Sequence, residues 1–143
     1  MLRKIPPIIS ADLMRIMMEM GHGDELCLGD ANFPAYANAP RVTSADGHNI
    51  SELLDAILSL FPLDFCEPPV VLMAVMPGHD VKPTVWETYR NIVKKHDVDG
   101  VFSDFEFVER QAFYERTRRC YAAVTTGERA LYGNVILKKG IVT

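Results

Sequence analysis

The segment between Pro69 and Met76 constrains the fold of this chain more than any other. Residues 70–75 form an unbroken apolar run, with no polar residue at alternate positions. Such a run is typical of a strand covered on both faces of its sheet, because a half-exposed strand alternates apolar and polar residues. The chain is therefore expected to build a sheet that has helices on both sides.

Four segments show the periodicity of amphipathic helices. Asn49 followed by Glu52 resembles a capping box, which opens a helix that Pro62 stops. The last of the four helices is charged, and Glu106 and Arg110 lie four residues apart at its start, as in a helical ion pair. The predicted helices begin at Ser10, Asn49 and Pro83, and the fourth covers residues 107–119.

Short strands are predicted between these helices, at residues 25–28, 41–44, 69–76, 101–102, 121–125 and 135–137. Alternation of helices with strands favours the α/β class, in which a mostly parallel sheet lies between helices. We expect one three-layer domain with a largely parallel central sheet flanked by helices. No repeat or composition break divides the chain, so this domain is expected to cover residues 1–143.

Composition and charge argue against several classes of function. The net charge is −4 and the basic residues are scattered, whereas a nucleic-acid partner needs a concentrated basic face. No apolar window reaches the length of about 18 residues that a membrane-spanning helix requires. The three cysteines, Cys27, Cys66 and Cys120, include no CxxC pair, so neither a zinc cage nor a redox dithiol is indicated. A reducing cytoplasm fits this cysteine usage.

A histidine between two glycines is the first candidate for chemistry. His22 follows the first helix, between Gly21 and Gly23, and glycine lets a ligand approach the backbone closely. Asp30 follows the next predicted strand, at the end of the sheet where α/β proteins usually bind ligands. The alternative interpretation is a turn histidine near a helix terminus, with Asp30 acting only as a cap.

Two further segments offer polar side chains to a ligand. Arg110 and Tyr114 lie one turn apart on one helix face, where a guanidinium and a phenol together can hold sugar hydroxyls. The alternative there is a solvated face with ion pairs. Tyr132 and Asn134 lie in the turn before the last strand and can present a hydroxyl and an amide, although an ordinary loop looks similar.

Taken together, these segments resemble the L-fucose mutarotase and D-ribose pyranase family over nearly the whole chain. Six motifs in the same order support the resemblance. They are Gly21-His22-Gly23-Asp24-Glu25, Asp30-Ala31-Asn32-Phe33-Pro34-Ala35, Ala45-Asp46-Gly47, Ala112-Phe113-Tyr114-Glu115-Arg116, Thr126-Gly127-Glu128-Arg129-Ala130 and the segment from Tyr132 to Gly140.

The resemblance implies an α/β fold, a closed ring of identical subunits, sugar sites between neighbouring subunits, and no cofactor or metal. It implies that His22 is the catalytic proton carrier. It also implies that the monosaccharide is held by Asp30, Arg110, Tyr132 and Asn134 and by the backbone of Gly133, with Tyr114 beside Arg110. Gln111 is a departure, because fucose-type members usually have an aromatic residue after the functional arginine.

Details of the motifs favour the fucose branch of the family. Ribose-type members typically have threonine at the position of Gly23 and alanine at that of Gly133, and they lack the run of Phe113, Tyr114 and Glu115. Three alternatives stay open: a D-ribose pyranase-type activity, a sugar-binding accessory protein without catalysis, and a metal-dependent hydrolase. The hydrolase would use His22, Asp24, Asp30 and His79, but these residues lack a recognised ligand spacing.

Overall fold

The computed structural model describes all of residues 1–143, which form five helices and six strands. The helices are α1 (Ala11–Glu19), α2 (Ala35–Asn38), α3 (Ile50–Leu58), α4 (Trp86–His96) and α5 (Arg110–Arg119). The strands are β1 (Glu25–Gly29), β2 (Val42–Ala45), β3 (Val70–Met73), β4 (Glu106–Val108), β5 (Ala122–Thr126) and β6 (Val135–Lys138). No helix combines the length and the apolar character that a membrane crossing requires.

All six strands belong to one sheet, in the order β2-β5-β1-β6-β3-β4. Strand β5 pairs in parallel with β1 and β2, and β3 pairs in parallel with β4, whereas β6 is antiparallel to both of its neighbours, β1 and β3. The largely parallel sheet is thus confirmed. We call the end of the sheet where β1–β5 finish and β6 begins the carboxyl end, and the opposite end the amino end.

Helices cover both faces of this sheet, which confirms the three-layer α/β expectation. Leu26 and Leu28 of β1 pack into a core with α1, α3 and α4. Cys27, between them in sequence, faces the other side and packs into a smaller core with Phe113 of α5 and Ala35 of α2. Val70–Met73 are buried on both faces, as their unbroken apolar sequence predicts.

Local capping accounts for two of the helix starts. The Ser10 hydroxyl accepts a hydrogen bond of 3.0 Å from the Leu13 amide, and the Asn49 side chain accepts one of 2.8 Å from the Glu52 amide. Each such cap contributes about 1 kcal/mol to stability. The Glu52 carboxylate, rather than completing the capping box, lies 3.6 Å from His48 Nδ1.

The predicted helix over residues 107–119 is wrong in its first turn. Glu106–Val108 form the edge strand β4, and α5 begins at Arg110, where the Glu109 carboxylate accepts hydrogen bonds from the amides of the first turn. The expected pairing of Glu106 with Arg110 is also absent. Glu106 instead pairs with Arg116 at 2.7 Å, a contact between strand and helix that a helical spacing rule does not anticipate.

Two other boundaries differ from expectation. The strand predicted at Val101 and Phe102 is absent, because the amides of both residues donate 2.9 Å hydrogen bonds to the Asp97 carboxylate. Helix α4 begins at Trp86 rather than at Pro83, since residues 77–85 form a loop that brings His79 to the carboxyl end of the sheet.

Candidate active site

The structure separates His22 and Asp30, the first two candidate residues. His22 lies before β1, at the amino end of the sheet, and Asp30 lies directly after β1, at the carboxyl end. The five residues of β1 span about 16 Å at the usual rise of about 3.3 Å per residue. Two groups of candidate side chains therefore exist, one at each end of the sheet.

Asp30 and Asn134 meet at the carboxyl end because β1 finishes beside the start of its antiparallel neighbour β6. The Asn134 side-chain oxygen accepts a 2.7 Å hydrogen bond from the Asp30 amide, and Asp30 Oδ1 accepts one of 2.9 Å from the Asn32 amide. Burial raises the pKa of Asp30, and the hydrogen bond from Asn32 opposes this shift without cancelling it. The negative charge of Glu128 adds to the increase in the pKa of Asp30.

Glu128 and Gly133 fix the loop that presents Tyr132 and Asn134. The buried Glu128 carboxylate accepts hydrogen bonds from the amides of Ile50 (3.2 Å) and Ala130 (2.9 Å). The Gly133 carbonyl accepts a 2.9 Å bond from the Tyr89 hydroxyl. A Cβ at Gly133 would lie 3.0 Å from the Ala130 oxygen and 3.1 Å from Glu128 Cγ. The carbonyl of Gly133 is thus used internally, and its N–H is the backbone group that a ligand can use.

Tyr132 is held at three points. Its phenol oxygen accepts a 3.2 Å hydrogen bond from the Met76 amide and lies 2.6 Å from His79 Nδ1, while its carbonyl accepts one of 2.9 Å from the Trp86 indole. Its φ of +58° is uncommon for a residue other than glycine, and such strain concentrates at functional sites. The backbone of Tyr132 is therefore fixed before any ligand arrives.

From the sequence, His79 was considered only as a ligand of the metal-dependent hydrolase and was not placed beside Tyr132. The signal that was available is its position. Pro77, Gly78 and His79 follow the buried strand β3 at its carboxyl end, and that end of a parallel sheet is where ligands bind.

Arg110 and Tyr114 contact each other on α5, as their spacing predicts. Arg110 Nε donates a 3.1 Å hydrogen bond to the Tyr114 hydroxyl, and the guanidinium carbon lies 5.4 Å from the centre of the phenol ring. The Tyr114 ring lies 5.7 Å from that of Phe33. Arg110 and Gln111 border a recess of about 350 Å³. Its volume is within the usual range for small-ligand pockets, about 300–1,000 Å³.

His22 forms a pair with a buried carboxylate at the amino end. Its Nε2 lies 2.9 Å from Asp64 Oδ1, and the side chain of His22 is 44% exposed whereas that of Asp64 is 3% exposed. Burial opposes ionisation of Asp64, but the hydrogen bonds from His22 and from the backbone amides of Cys66 and Phe65 outweigh it and hold the pKa of Asp64 below its usual value. An ionised carboxylate only accepts hydrogen bonds, so Nε2 is protonated and Nδ1 is free to exchange a proton.

Asp64 was not predicted from the sequence, and no sequence signal marks it. It is 42 positions from His22, and it reaches the histidine because its segment runs beside the end of β6. The Asp64 amide donates a 3.1 Å hydrogen bond to the Lys138 carbonyl. Gly140 permits this approach, since a Cβ there would lie 2.2 Å from the Leu63 oxygen.

Replacing Gly140 with alanine should therefore lower both stability and activity. The added methyl group must push the backbone of Leu63 away, and overpacking of this kind costs about 3 kcal/mol at the upper end of its usual range. Thermal melting should show the loss. Gly21→Ala is the matched control, because a Cβ there meets only Asp24 Oδ2 at 3.7 Å. Equal melting temperatures for the two variants would contradict the packing argument.

The potential metal ligands form one cluster, and it differs from the set that the hydrolase alternative requires. His22, Asp64 and Cys66 have ligand atoms within 4.8 Å of one another. In contrast, Asp30 and His79 lie at the carboxyl end of the sheet, so they do not join His22 and Asp24 around one ion. This separation removes the geometric basis for the metal-dependent hydrolase.

The two groups offer complementary chemistry. A histidine backed by a buried carboxylate can take and return a proton, and the carboxylate stabilises the imidazolium that forms. At the other end, a carboxylate, an amide, a guanidinium and two phenols can hydrogen-bond to a small ligand with several hydroxyl groups.

Comparison with known proteins gives these groups a context. Residues 3–142 match the model of the RbsD / FucU transport protein family. The fucose mutarotase of Streptococcus pneumoniae, solved in complex with L-fucose, is 46% identical with a TM-score of 0.92, over 99% of this chain and 100% of that one. FucU from Bifidobacterium longum is 43% identical with a TM-score of 0.90, over 97% of this chain and 99% of that one.

A more distant protein shares the fold. RbsD from Bacillus subtilis, solved with D-ribose, is 16% identical with a TM-score of 0.70, over 94% of this chain and 95% of that one. Because the family match covers almost the whole sequence, and two of these structures exceed 40% identity over nearly their full length, the relationship extends to both ends of the sheet. The chain belongs to the RbsD / FucU transport protein family.

Proposed function

We propose that this protein is an L-fucose mutarotase, an isomerase that interconverts the α and β anomers of L-fucose without a cofactor. One observation supports the proposal above all others. A proton-carrying His22–Asp64 pair and a polar set suited to a sugar occur in a chain that is 46% identical to a fucose mutarotase solved with L-fucose. Closely related aldoses are candidates for slower turnover.

The reaction needs only proton transfers at oxygen. A proton leaves the anomeric hydroxyl, another reaches the ring oxygen, and the C–O bond of the ring breaks to give the aldehyde. The aldehyde turns its other face and the ring closes again. His22 Nδ1 is the proton carrier in our proposal, and the ionised Asp64 stabilises the imidazolium during transfer. A positioned acid–base group of this kind supplies about 10²–10⁴-fold acceleration.

The sugar is held at the carboxyl end of the sheet in this proposal. The Asp30 carboxylate and the Arg110 guanidinium make charge-assisted hydrogen bonds to hydroxyl groups. Tyr132, Asn134, Tyr114 and the Gly133 N–H are the neutral partners. The adjacent rings of Phe33 and Tyr114 can cover the C5 methyl group of fucose, a group that ribose lacks.

The active site is proposed to form between neighbouring subunits. Support comes from the separation of His22 and Asp30 by the length of β1, which is too great for one monosaccharide to bridge. Apolar side chains are exposed near His22, such as Met18 (76%) and Phe65 (60%), and others are exposed at the carboxyl end, such as Leu131 (56%) and Met76 (43%). Joining unlike surfaces of identical subunits generates rings when the rotation closes, so we propose a closed homo-oligomer.

A reducing, cytoplasmic location is part of the proposal. All three cysteines are free, and Cys27 and Cys120 are buried. Burial raises the pKa of Cys27 to about 12, so this thiol stays protonated and unreactive in the core. An oxidising compartment would offer no structural advantage to these residues, because neither buried thiol forms a disulfide.

L-fucose should be preferred over D-ribose. One methyl group in an apolar pocket contributes about 1–3 kcal/mol, which corresponds to a preference of about 10–200-fold. Magnetisation-transfer NMR at equal sugar concentrations measures fucose anomer exchange and ribose pyranose–furanose exchange. Phe33→Leu should narrow the preference, with Phe107→Leu as the control at an exposed aromatic residue of the edge strand. Faster exchange of ribose would favour the D-ribose pyranase alternative, and binding without exchange would favour the accessory protein.

On acidification, the affinity for sugar should start to fall at a higher pH than it would if Asp30 had the ordinary pKa of an aspartate. Burial raises the pKa of Asp30, so the carboxylate loses its charge early as the pH decreases, and with it the strong hydrogen bonds to hydroxyls. The same shift affects stability in the opposite direction: protonated Asp30 favours the folded state, and its contribution is lost as the pH rises through the raised pKa.

The pH dependence of KM for fucose, together with thermal melting, separates these two effects. KM for fucose should rise as the pH decreases, whereas the protonation of Asp30 should cause no decrease in the melting temperature. In Asp30→Asn, KM should be high at every pH and its acid limb should be absent. An unchanged acid limb in this variant would exclude Asp30 as the group responsible.

A further inference from the structure

We propose that His22, Asp64 and Cys66 form an inhibitory binding site for a divalent transition-metal ion, of which zinc is the best match. The three residues supply an imidazole nitrogen, a carboxylate oxygen and a thiolate sulfur, all of which are common zinc ligands. Three protein ligands leave a fourth position for water or for a sugar hydroxyl. The effect on activity rests on the proposed function, but the binding of the ion does not.

The distances suit a zinc site that needs small adjustments. Ligands at the usual zinc distances of about 2.0–2.3 Å in a tetrahedral arrangement are about 3.3–3.8 Å from one another. His22 Nε2 and Asp64 Oδ1 are 2.9 Å apart, and all three ligand atoms lie within 4.8 Å of one another. The imidazole must therefore withdraw by about half an ångström, and the thiol must approach by about 1.2 Å at most.

One of the three side chains is fixed and the other two can move, which is what such an adjustment requires. Asp64 is buried, and its Oδ1 accepts a 2.9 Å hydrogen bond from the Phe65 amide, so the carboxylate is a fixed ligand. His22 and Cys66 are exposed, so both can move toward an ion beside Asp64. The remaining cysteines are buried, which makes Cys66 the thiol that an ion in solution can reach.

Occupation of this site stops proton transfer. An ion at Nε2 replaces the proton on that nitrogen, so the neutral imidazole carries its proton on Nδ1 and has no lone pair left to accept another. The Asp64 carboxylate is shared with the ion and stabilises an imidazolium less well. The sugar-holding groups at the carboxyl end of the sheet stay as they are. Zinc should thus lower the exchange rate, and a chelator should restore it.

Two measurements on the reduced, full-length protein test the proposal. Cobalt(II), a spectroscopic substitute for zinc, should produce a thiolate-to-metal charge-transfer absorption. The absorption should disappear when zinc displaces the cobalt. Zinc should also inhibit fucose exchange reversibly, and EDTA should leave the exchange rate of the metal-free protein unchanged. Cys66→Ser should abolish the charge-transfer absorption and retain metal-free exchange. It should raise the zinc concentration for half-inhibition by at least about 10–100-fold, the loss caused by removing an outer-shell partner alone.

His48→Ala is the matched control, because His48 is an exposed histidine that lies 3.6 Å from a carboxylate, that of Glu52. This variant should keep both the cobalt absorption and the zinc sensitivity of the original protein. An active protein without the cobalt absorption, or equal zinc inhibition before and after Cys66→Ser, would overturn the metal site. A protein that shows the absorption but never accelerates exchange supports the metal site and contradicts the proposed mutarotase activity instead.

Discussion

Replacing His22 with alanine should slow L-fucose anomer exchange by about 10²–10⁴-fold, the usual contribution of a positioned acid–base group. No other group at the amino end of the sheet combines an exposed imidazole with a buried carboxylate partner: His22 is 44% exposed and Asp64 only 3%. The fold should persist, because His22 lies in a turn and its removal leaves no cavity in either core. The loss of one hydrogen bond to Asp64 should cost about 1–3 kcal/mol of stability, since the buried carboxylate loses a partner.

Saturation-difference or magnetisation-transfer NMR on L-fucose gives the exchange rate, and circular dichroism gives the melting temperature. His48→Ala is again the suitable control, as an exposed histidine near a carboxylate but away from the His22–Asp64 pair. Asp64→Asn should fall between the original protein and His22→Ala, since the imidazole stays in place but its protonated form loses a charged partner. Exchange at the original rate in a folded His22→Ala variant would exclude His22 as the proton carrier.

The fold could be predicted wherever local interactions determine it. The caps at Ser10 and Asn49 involve residues three positions apart, so the sequence displays both partners. Strand β4 was missed because its three residues acquire their structure by pairing with β3, more than thirty positions earlier. The charge pattern of Glu106 was also misleading, since its partner Arg116 lies across an element boundary rather than one helical turn away.

The site could be predicted only in part, for a similar reason. Asp30 and Asn134 were identified because each directly follows or precedes a strand, and strand termini gather at the same end of the sheet. Asp64 was missed and His79 was not placed beside Tyr132, because the contacts of these residues with His22 and Tyr132 join residues 42 and 53 positions apart. His22 and Asp30 are only eight positions apart, yet they lie at opposite ends of the sheet because the strand predicted at residues 25–28 runs between them.

The separation of these two residues leads to the last prediction, which is that two inactive variants should restore each other. If His22 of one subunit acts on a sugar held by its neighbour, His22→Ala lacks only the proton carrier. An Asp30→Asn, Arg110→Ala double variant lacks only the sugar-holding groups. Each alone forms no complete site. When the two are mixed and allowed to assemble together, some interfaces join an intact His22 to an intact Asp30 and Arg110.

The expected recovery follows from the statistics of a mixed ring. In a random equimolar assembly, half of the subunits supply His22 and half of the neighbours hold sugar, so about a quarter of the original activity should return. Co-expression with two tags provides the mixed assembly, and the separately assembled variants, mixed without subunit exchange, provide the control. Light scattering should show the same oligomer in all samples, well above the 16.1 kDa of one chain.

Recovery cannot occur if each subunit contains its own complete site, because every chain in the mixture carries a defect. An inactive mixed oligomer would therefore contradict the shared active site, while the activity of the original protein would still identify the reaction.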